Sequence, residues 1–321
     1  MAGRGGGELT SRCLPVLLGL LALAACAETG GTGACQIAPV ATLTLSPERH
    51  VVVDGRLNRQ PARFLLDTGA ERSVVASWAM DPYRVERLRG ETGVYGTGGL
   101  MMTSVARAQL DLGGDEVWRS MPVADLPGGS RPGPAYAALL GADVLAAYDL
   151  EISFPENRVR LWQTANCRGA YALWGGTYGT VPLEVRRSGH LRMSLSIDGK
   201  PVTALLDTGA SGSILTEDAA ERIGVTPSML AADPAGTNRG ITGKIMADRM
   251  HRFGTVQIGP ETMAATMRVS AIRLSQADML LGADWMRSRR VWISWANKKV
   301  FVQHASAARA PEAGSAAASV P

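Results

Sequence analysis

The chain has 321 residues, enough for two domains that each bury a core of their own. Hydrophobic residues make up 46% and charged residues 19%, a globular balance, and 37 glycines against four phenylalanines and six tyrosines suit a turn-rich β protein better than a helical one. The formal net charge of +4 comes with no basic run and no interleaving of basic and aromatic residues, which argues against a nucleic-acid partner.

The chain opens on an address. Arg4 and Arg12 precede an apolar run from Leu14 to Ala25 that is too short to span a membrane. The run ends in Leu23-Ala24-Ala25-Cys26, which resembles the lipobox of bacterial lipoproteins, where cleavage falls before the cysteine and the cysteine is lipidated. An ordinary signal cut after Ala27 is the alternative. Either way residues 1–25 read as a signal peptide, and the expected location is the periplasm, with a membrane anchor at Cys26. Two further cysteines, Cys35 and Cys167, flank the first of two repeats, and in an oxidising compartment they are expected to form a disulfide.

Residues 26–40 carry little pattern and read as a tether. The first repeat covers 41–163, a connection covers 164–180, the second repeat covers 181–303, and the Ala- and Ser-rich stretch 304–321 is expected to be disordered. Each repeat begins with alternating strands around a turn, Asn58-Arg59-Gln60-Pro61 in one and Asp198-Gly199-Lys200-Pro201 in the other. Each turn leads into the same phrase, Leu65-Leu66-Asp67-Thr68-Gly69-Ala70 and Leu205-Leu206-Asp207-Thr208-Gly209-Ala210. An acid at the end of an apolar strand is a poor choice for packing, because aspartate is depleted in strands and a buried carboxylate needs a partner. Two copies 140 residues apart make an accident of one surface turn untenable.

Short apolar segments follow, Ser73-Val74-Val75 and Ser213-Ile214-Leu215, and Thr216 is placed to cap a helix running to about Ile223 before Gly224. Mid-repeat, Tyr95-Gly96-Thr97-Gly98-Gly99 and Gly240-Ile241-Thr242-Gly243 predict hairpins. Each repeat closes on Leu-Leu-Gly-Ala-Asp, ending at Asp143 and Asp284, and then on a strand–turn–strand unit. The four histidines, His50, His190, His251 and His304, are scattered without metal spacing, so no metal or cofactor is expected.

These motifs together resemble one lobe of a retropepsin-like aspartic peptidase, here written twice on one chain. The resemblance implies an all-β fold of two tandem closed-barrel lobes with short helices and an active cleft between them. It implies that Asp67 and Asp207 form a catalytic pair, that Thr68 and Thr208 brace the opposite loop, and that Gly69 and Gly209 allow the turn. It implies flaps at Tyr95, Gly96 and Gly98 and at Gly240 and Gly243, with Arg239 standing where the first flap has Tyr95. Tyr95 either lines the cleft or packs on the sheet as an edge aromatic. Ser211 and Ser213 read as loop braces rather than nucleophiles. Two adjacent carboxylates share a proton, so one serves as base on a water and the other as acid. The implied partner is an extended polypeptide, the implied state a monomer without nucleic acid, and the implied activity endopeptidase. The rival is an inert peptide-binding or structural envelope lipoprotein on a protease-like fold. Pepsins typically carry serine where this chain has Ala70 and Ala210, which predicts a mildly acidic optimum, roughly pH 4–6.

Overall fold

A computed structural model describes residues 34–46, 49–96, 99–114, 116–126, 135–169, 171–241 and 243–304. The signal segment with Cys26, the hairpin residue Gly98 and the stretch beyond 304 lie outside the described residues.

The first lobe contains β1 (Gln36–Thr44), β2 (Val52–Leu57), β3 (Gln60–Leu66), β4 (Val74–Ala76), β5 (Glu86–Gly96), β6 (Gly99–Asp111), β7 (Val117–Ala124), β8 (Ala138–Leu140), α1 (Ala142–Leu145), β9 (Asp149–Ser153) and β10 (Arg158–Ala165). The second contains β11 (Gly179–Pro182), β12 (Glu184–Val185), β13 (Leu191–Ile197), β14 (Lys200–Leu206), β15 (Ile214–Thr216), α2 (Glu217–Arg222), α3 (Pro227–Ala232), β16 (Ala235–Arg239), β17 (Ile245–Ile258), β18 (Glu261–Ser270), β19 (Met279–Leu281), α4 (Ala283–Met286), β20 (Arg289–Ser294) and β21 (Lys299–His304).

The local chemistry explains the hairpins. Asn58 and Arg59 have φ of 48° and 66°, and Asp198 and Gly199 have 46° and 76°. Two central residues with positive φ match the twist of the flanking strands, so each hairpin turns in two residues. The expected four-residue turns are therefore too long. Gln60-Pro61 and Lys200-Pro201 already belong to β3 and β14, with Pro61 opposite Arg56 and Pro201 opposite Ser196. Thr216 caps α2 by accepting the Ala219 N–H at 3.1 Å, and Gly224 follows the helix with φ of 105°.

Each lobe closes into a ring. The order β2-β3-β8-β4-β7-β6 returns to its start through Arg56↔Asp111 and Leu57↔Leu110. The order β13-β14-β19-β15-β18-β17 returns through Ser196↔Gln257 and Ile197↔Val256. Closure removes free edges and leaves the ring interior for side chains such as Phe64, Leu110 and Met121 in one lobe and Phe253 in the other, all fully buried.

A third sheet, β1-β10-β9-β20-β21-β11, runs through both lobes and joins them at Ile152↔Val291 and Leu150↔Ile293. It corrects three boundaries. Residues 36–40 are the start of β1 and not tether, because they pair with the end of β10. The connection 164–180 loses its ends to β10 and β11. Residue 304 ends β21 and is not tail, and the His304 imidazole meets Glu261 at 2.8 Å. Between them, Tyr171 and Trp174 lie against the sheet, where Trp162 stacks on Trp292 at 5.2 Å and Tyr171 meets Phe301 edge-on at 4.8 Å. The acids of this face are satisfied. Glu151 accepts the Trp162 and Trp174 indoles at 2.8 and 3.1 Å and pairs with Arg290, and Asp149 accepts from Tyr171 and Trp292 at 2.7 and 2.9 Å.

A disulfide joins Cys35 to Cys167, beside the terminal pair Gln36↔Ala165. It closes a loop across a sequence separation of 132 residues and so restricts the unfolded chain. Cys35→Ser with Cys167→Ser is expected to lower stability by about 2–4 kcal/mol. A denaturant midpoint unmoved by the double change would refute this.

Candidate active site

Asp67 and Asp207 each stand one residue beyond the end of a strand, β3 and β14. Each strand runs parallel to the strand of its closing motif, with Leu66 beside Leu140 and Leu206 beside Leu281. The Asp67 N–H donates to Leu140 O and the Asp207 N–H to Leu281 O, both at 2.9 Å. The acids are thus held by backbone ladders, and the apolar Leu-Leu runs exist to make those ladders.

The two loops lock across the lobe boundary. The Thr68 hydroxyl donates to Leu206 O at 2.6 Å and accepts the Thr208 N–H at 3.1 Å. The Thr208 hydroxyl donates to Leu66 O at 2.6 Å and accepts the Thr68 N–H at 3.0 Å. Both threonines are fully buried. Thr68→Val or Thr208→Val keeps the volume but strands a buried N–H and a carbonyl of the opposite lobe, so each is expected to cost about 1–3 kcal/mol. Thermal unfolding of the two variants measures it, and unchanged melting would exclude a role for the hydroxyls.

The glycines answer to crowding. A Cβ built on Gly69 would lie 2.5 Å from the Asp207 carboxyl carbon, and one on Gly209 would lie 2.3 Å from that of Asp67. Each carboxyl therefore sits against the other lobe's loop, where only glycine fits. Asp207 is buried and Asp67 half-buried. Asp67 Oδ1 accepts the Gly69 N–H at 2.9 Å, and Asp207 Oδ1 accepts those of Gly209 and Ala210 at 2.9 and 3.0 Å.

Burial and the neighbouring Asp207 charge push the Asp67 carboxyl well above the usual carboxylate range. Burial also raises Asp207, against hydrogen bonds from Asp67 and the Ala210 and Gly209 amides that favour its charged form. Both carboxyls are thus raised, which favours a pair with one proton between them, as a property of the pair and not of either residue.

The closing motifs have a second function that the sequence did not disclose. Asp143 accepts both the N–H and the hydroxyl of Ser73 at 2.7 Å, and the Ser73 hydroxyl accepts the Gly141 N–H at 3.1 Å. Asp284, Ser213 and Gly282 repeat this at 2.9, 2.8 and 3.1 Å. Each network braces the loop behind one acid. Ser213 is a brace, as read from the sequence. The signal for Ser73, Asp143 and Asp284 was their constant place in both repeats, six residues after the motif acid for the serines.

The Gly-rich segments form hairpin tips. Gly96 pairs with Gly99 at the end of β5–β6, and the Gly243 N–H donates to Gly240 O beyond the last pair of β16–β17, Arg239↔Ile245. Tyr95 is 79% exposed and so is not an edge aromatic packed on the sheet. Leu100, Met102 and Ile245 are exposed on the same two hairpins. Arg72, in the loop after Asp67, donates to the Thr92 hydroxyl at 3.1 Å and ties the first hairpin to that loop. Among the described residues no three His, Cys, Asp or Glu side chains are grouped to hold a metal ion.

Residues 193–285 match the aspartyl protease family. The match, with the duplicated phrases, makes this part of the chain similar to retropepsin-like aspartic proteases. It is 36% identical over 102 residues to DNA damage-inducible protein 1 of Yarrowia lipolytica, covering 32% of this chain and 24% of that protein. It is 29% identical over 128 residues to the protein of the same name from Chaetomium globosum, covering 39% and 26%. A 50-residue stretch is 42% identical to an uncharacterized protein in the cobV 5′ region of a Sinorhizobium species, covering 16% and 22%. The chain thus spans about a quarter of the length of these relatives. The family match covers the second repeat, and the first shares its Asp-Thr-Gly-Ala and Leu-Leu-Gly-Ala-Asp phrases and its ring topology.

Proposed function

We propose that this chain is a single-chain aspartic endopeptidase that cleaves peptide bonds with a water held between Asp67 and Asp207. One observation carries the proposal: two carboxyls from different lobes are each pressed against the other lobe's loop, and burial raises both, an arrangement that packing alone would avoid. Ionised Asp207 takes a proton from the water as its oxygen attacks the carbonyl carbon. Asp67 gives its proton to the carbonyl oxygen, and a neutral diol results. The C–N bond then breaks as Asp207 returns its proton to the amine nitrogen, and Asp67 recovers one from a diol hydroxyl.

The substrate is an extended polypeptide. The hairpins offer strand edges for sequence-blind backbone hydrogen bonds, and exposed Tyr95, Leu100, Met102 and Ile245 favour apolar side chains beneath them. Both half-sites lie on one chain, so a monomer suffices. The test is digestion of unfolded casein by the full chain, with products identified by mass and the reaction challenged with a statine-type inhibitor. Cleavage at constant specific activity on dilution supports the proposal. A folded protein that binds casein but yields no products at any pH would replace it with the inert peptide-binding lipoprotein.

We also propose export to the periplasm with a lipid anchor at Cys26, supported by the disulfide and the Leu23-Ala24-Ala25-Cys26 phrase. Cys26→Ser is expected to move the protein from the membrane fraction to the soluble periplasm. Retention on the membrane would refute the anchor.

A further inference from the structure

Each lobe places a guanidinium group beside its active loop, but the two lobes take it from different positions. Gly212 stands 140 residues after Arg72, as Asp207 does after Asp67. In the first lobe Arg72 is itself on the loop, and its Nη1 donates to the Thr92 hydroxyl on β5 at 3.1 Å. In the second lobe the loop has a glycine there. A Cβ built on Gly212 would lie 2.6 Å from Nη1 of Arg268, a residue of β18. The strand pairings identify the counterpart of Arg268. β4 pairs Val75 with Val123, and β15 pairs Leu215 with Val269. Pro122 and Arg268, each one residue earlier, are therefore equivalent. The arginine has changed places between the repeats: the first has Arg72 with Pro122, the second Gly212 with Arg268.

Arg268 reaches from the Asp207 loop to the second hairpin. Its backbone N–H donates to Ser213 O at 3.3 Å, and its Nε meets Asp248 Oδ2 at 3.3 Å. Asp248 lies on β17 opposite Gly236 of β16, and the Asn238 amide donates to the same Oδ2 at 3.2 Å. Two residues nearer the tip, and so on the same face of β17, Met246 packs on Ile214, Ile272 and Leu280, the cluster that Ala210 also touches. This face of the hairpin is the one turned toward the Asp207 loop. The Asp248 side chain is 1% exposed, so it needs a cation, and Arg268 supplies it. That need alone does not explain the pattern. Among the described residues Arg72 meets the Thr92 hydroxyl and no carboxylate. What the two arginines share is their place between an active loop and its hairpin.

We propose that Arg268 is a positioning residue: its guanidinium is the tie that fixes the second hairpin against the Asp207 loop, as Arg72 fixes the first against the Asp67 loop. The proposal deepens the endopeptidase reading and rests on it. A substrate strand held by the hairpins is aligned with the dyad only as well as each hairpin is aligned with its loop. The backbone ladders join β15 to β17 through the intervening β18, whereas the guanidinium spans from loop to hairpin directly. The two ties differ in strength. Arg72 is exposed and bonded to a neutral hydroxyl, and Arg268 is paired with a buried carboxylate, so loss of the second tie is expected to cost more.

The test separates position from stability. Arg268→Met alone would leave Asp248 buried without its cation, so it is combined with Asp248→Asn, which removes both charges together. In the full chain this double variant is expected to melt near wild type and yet to lose about tenfold in kcat/KM on casein. An arginine that only neutralises Asp248 predicts full activity instead. Adding Gly212→Arg returns a guanidinium from the loop side, as in the first lobe. Apart from the Arg268 guanidinium, the nearest atom to a Cβ there is Asp284 Oδ2 at 3.7 Å, and kcat/KM is expected to recover in part. Arg72→Met is expected to lower kcat/KM by about threefold with melting unchanged. These losses should be equal for synthetic peptides of one length with acidic or with neutral side chains. Amide hydrogen exchange reads the tie without a substrate. In the double variant, exchange within residues 210–214 is expected to rise about tenfold while residues 70–74 of the first lobe stay unchanged.

Wild-type kcat/KM in the folded double variant would overturn the proposal, as would unchanged exchange within residues 210–214 or a folded triple variant that recovers nothing. Losses confined to acidic peptides would also overturn it, because they would make the guanidinium a contact to substrate. If the double variant does not fold, Arg72→Met decides, and wild-type kcat/KM there overturns the proposal. If the wild-type chain cleaves casein at no pH, the endopeptidase reading fails while the exchange measurement still tests the tie.

Discussion

Asp207→Asn is expected to lower kcat/KM on unfolded casein by about a thousandfold or more, and Asp67→Asn to do the same for a different reason. The first removes the carboxylate that takes the water's proton. The second removes the proton that the carbonyl oxygen must receive. Neither change should unfold the chain, because the asparagine oxygen still accepts the Gly69 or Gly209 N–H and the threonine lock is untouched. The stability effect has the opposite sign to the activity effect. Both carboxyls are raised by burial, so the folded chain binds protons more tightly than the unfolded chain. Stability is then full below the ordinary aspartate value of about 3.9 and falls as pH rises through the raised values. At neutral pH the dyad is a burden, and either asparagine variant should melt no lower than wild type. Retained cleavage in a folded Asp→Asn variant would end the proposed mechanism. Lost cleavage with a collapsed melting curve would show the acids to be structural.

Much of this site was legible because the chain states it twice. Asp67 and Asp207 declared themselves as acids ending Leu-Leu strands, and the duplicated turn, hairpin and closing phrases gave the two-lobe order. The third sheet was harder to read. β1 begins in a stretch whose small residues show no alternation, since its partner β10 lies more than a hundred residues away and sets its pairing. Residues 164–180 look like a Gly-rich linker, and only their contacts show that Tyr171 and Trp174 cover the buried acids Asp149 and Glu151. The Ser73–Asp143 and Ser213–Asp284 braces join residues some 70 positions apart, so local pattern carries no trace of them.

A bell-shaped pH profile with a mildly acidic optimum, roughly pH 4–6, is the second large effect expected. The acid limb is the second protonation of the pair, and the alkaline limb is loss of the shared proton. Burial and the neighbouring carboxylate raise Asp67 well above the carboxylate range, and burial raises Asp207, so both limbs lie higher than for solvated aspartates. The donors that oppose this are few. Asp207 has the Gly209 and Ala210 amides and Asp67 those of Gly69 and Ala70, but the methyl groups of Ala70 and Ala210 supply no hydroxyl. Ala70→Ser with Ala210→Ser adds one donor beside each acid. Hydrogen bonds to a charged form favour it, so the whole bell should move toward acid while its height changes little. Profiles of kcat/KM from pH 2 to 8 on labelled casein read the shift. A wild-type optimum at the strongly acidic end, or a bell that the serine pair leaves in place, would show that amide and hydroxyl donors do not set the working range of this dyad.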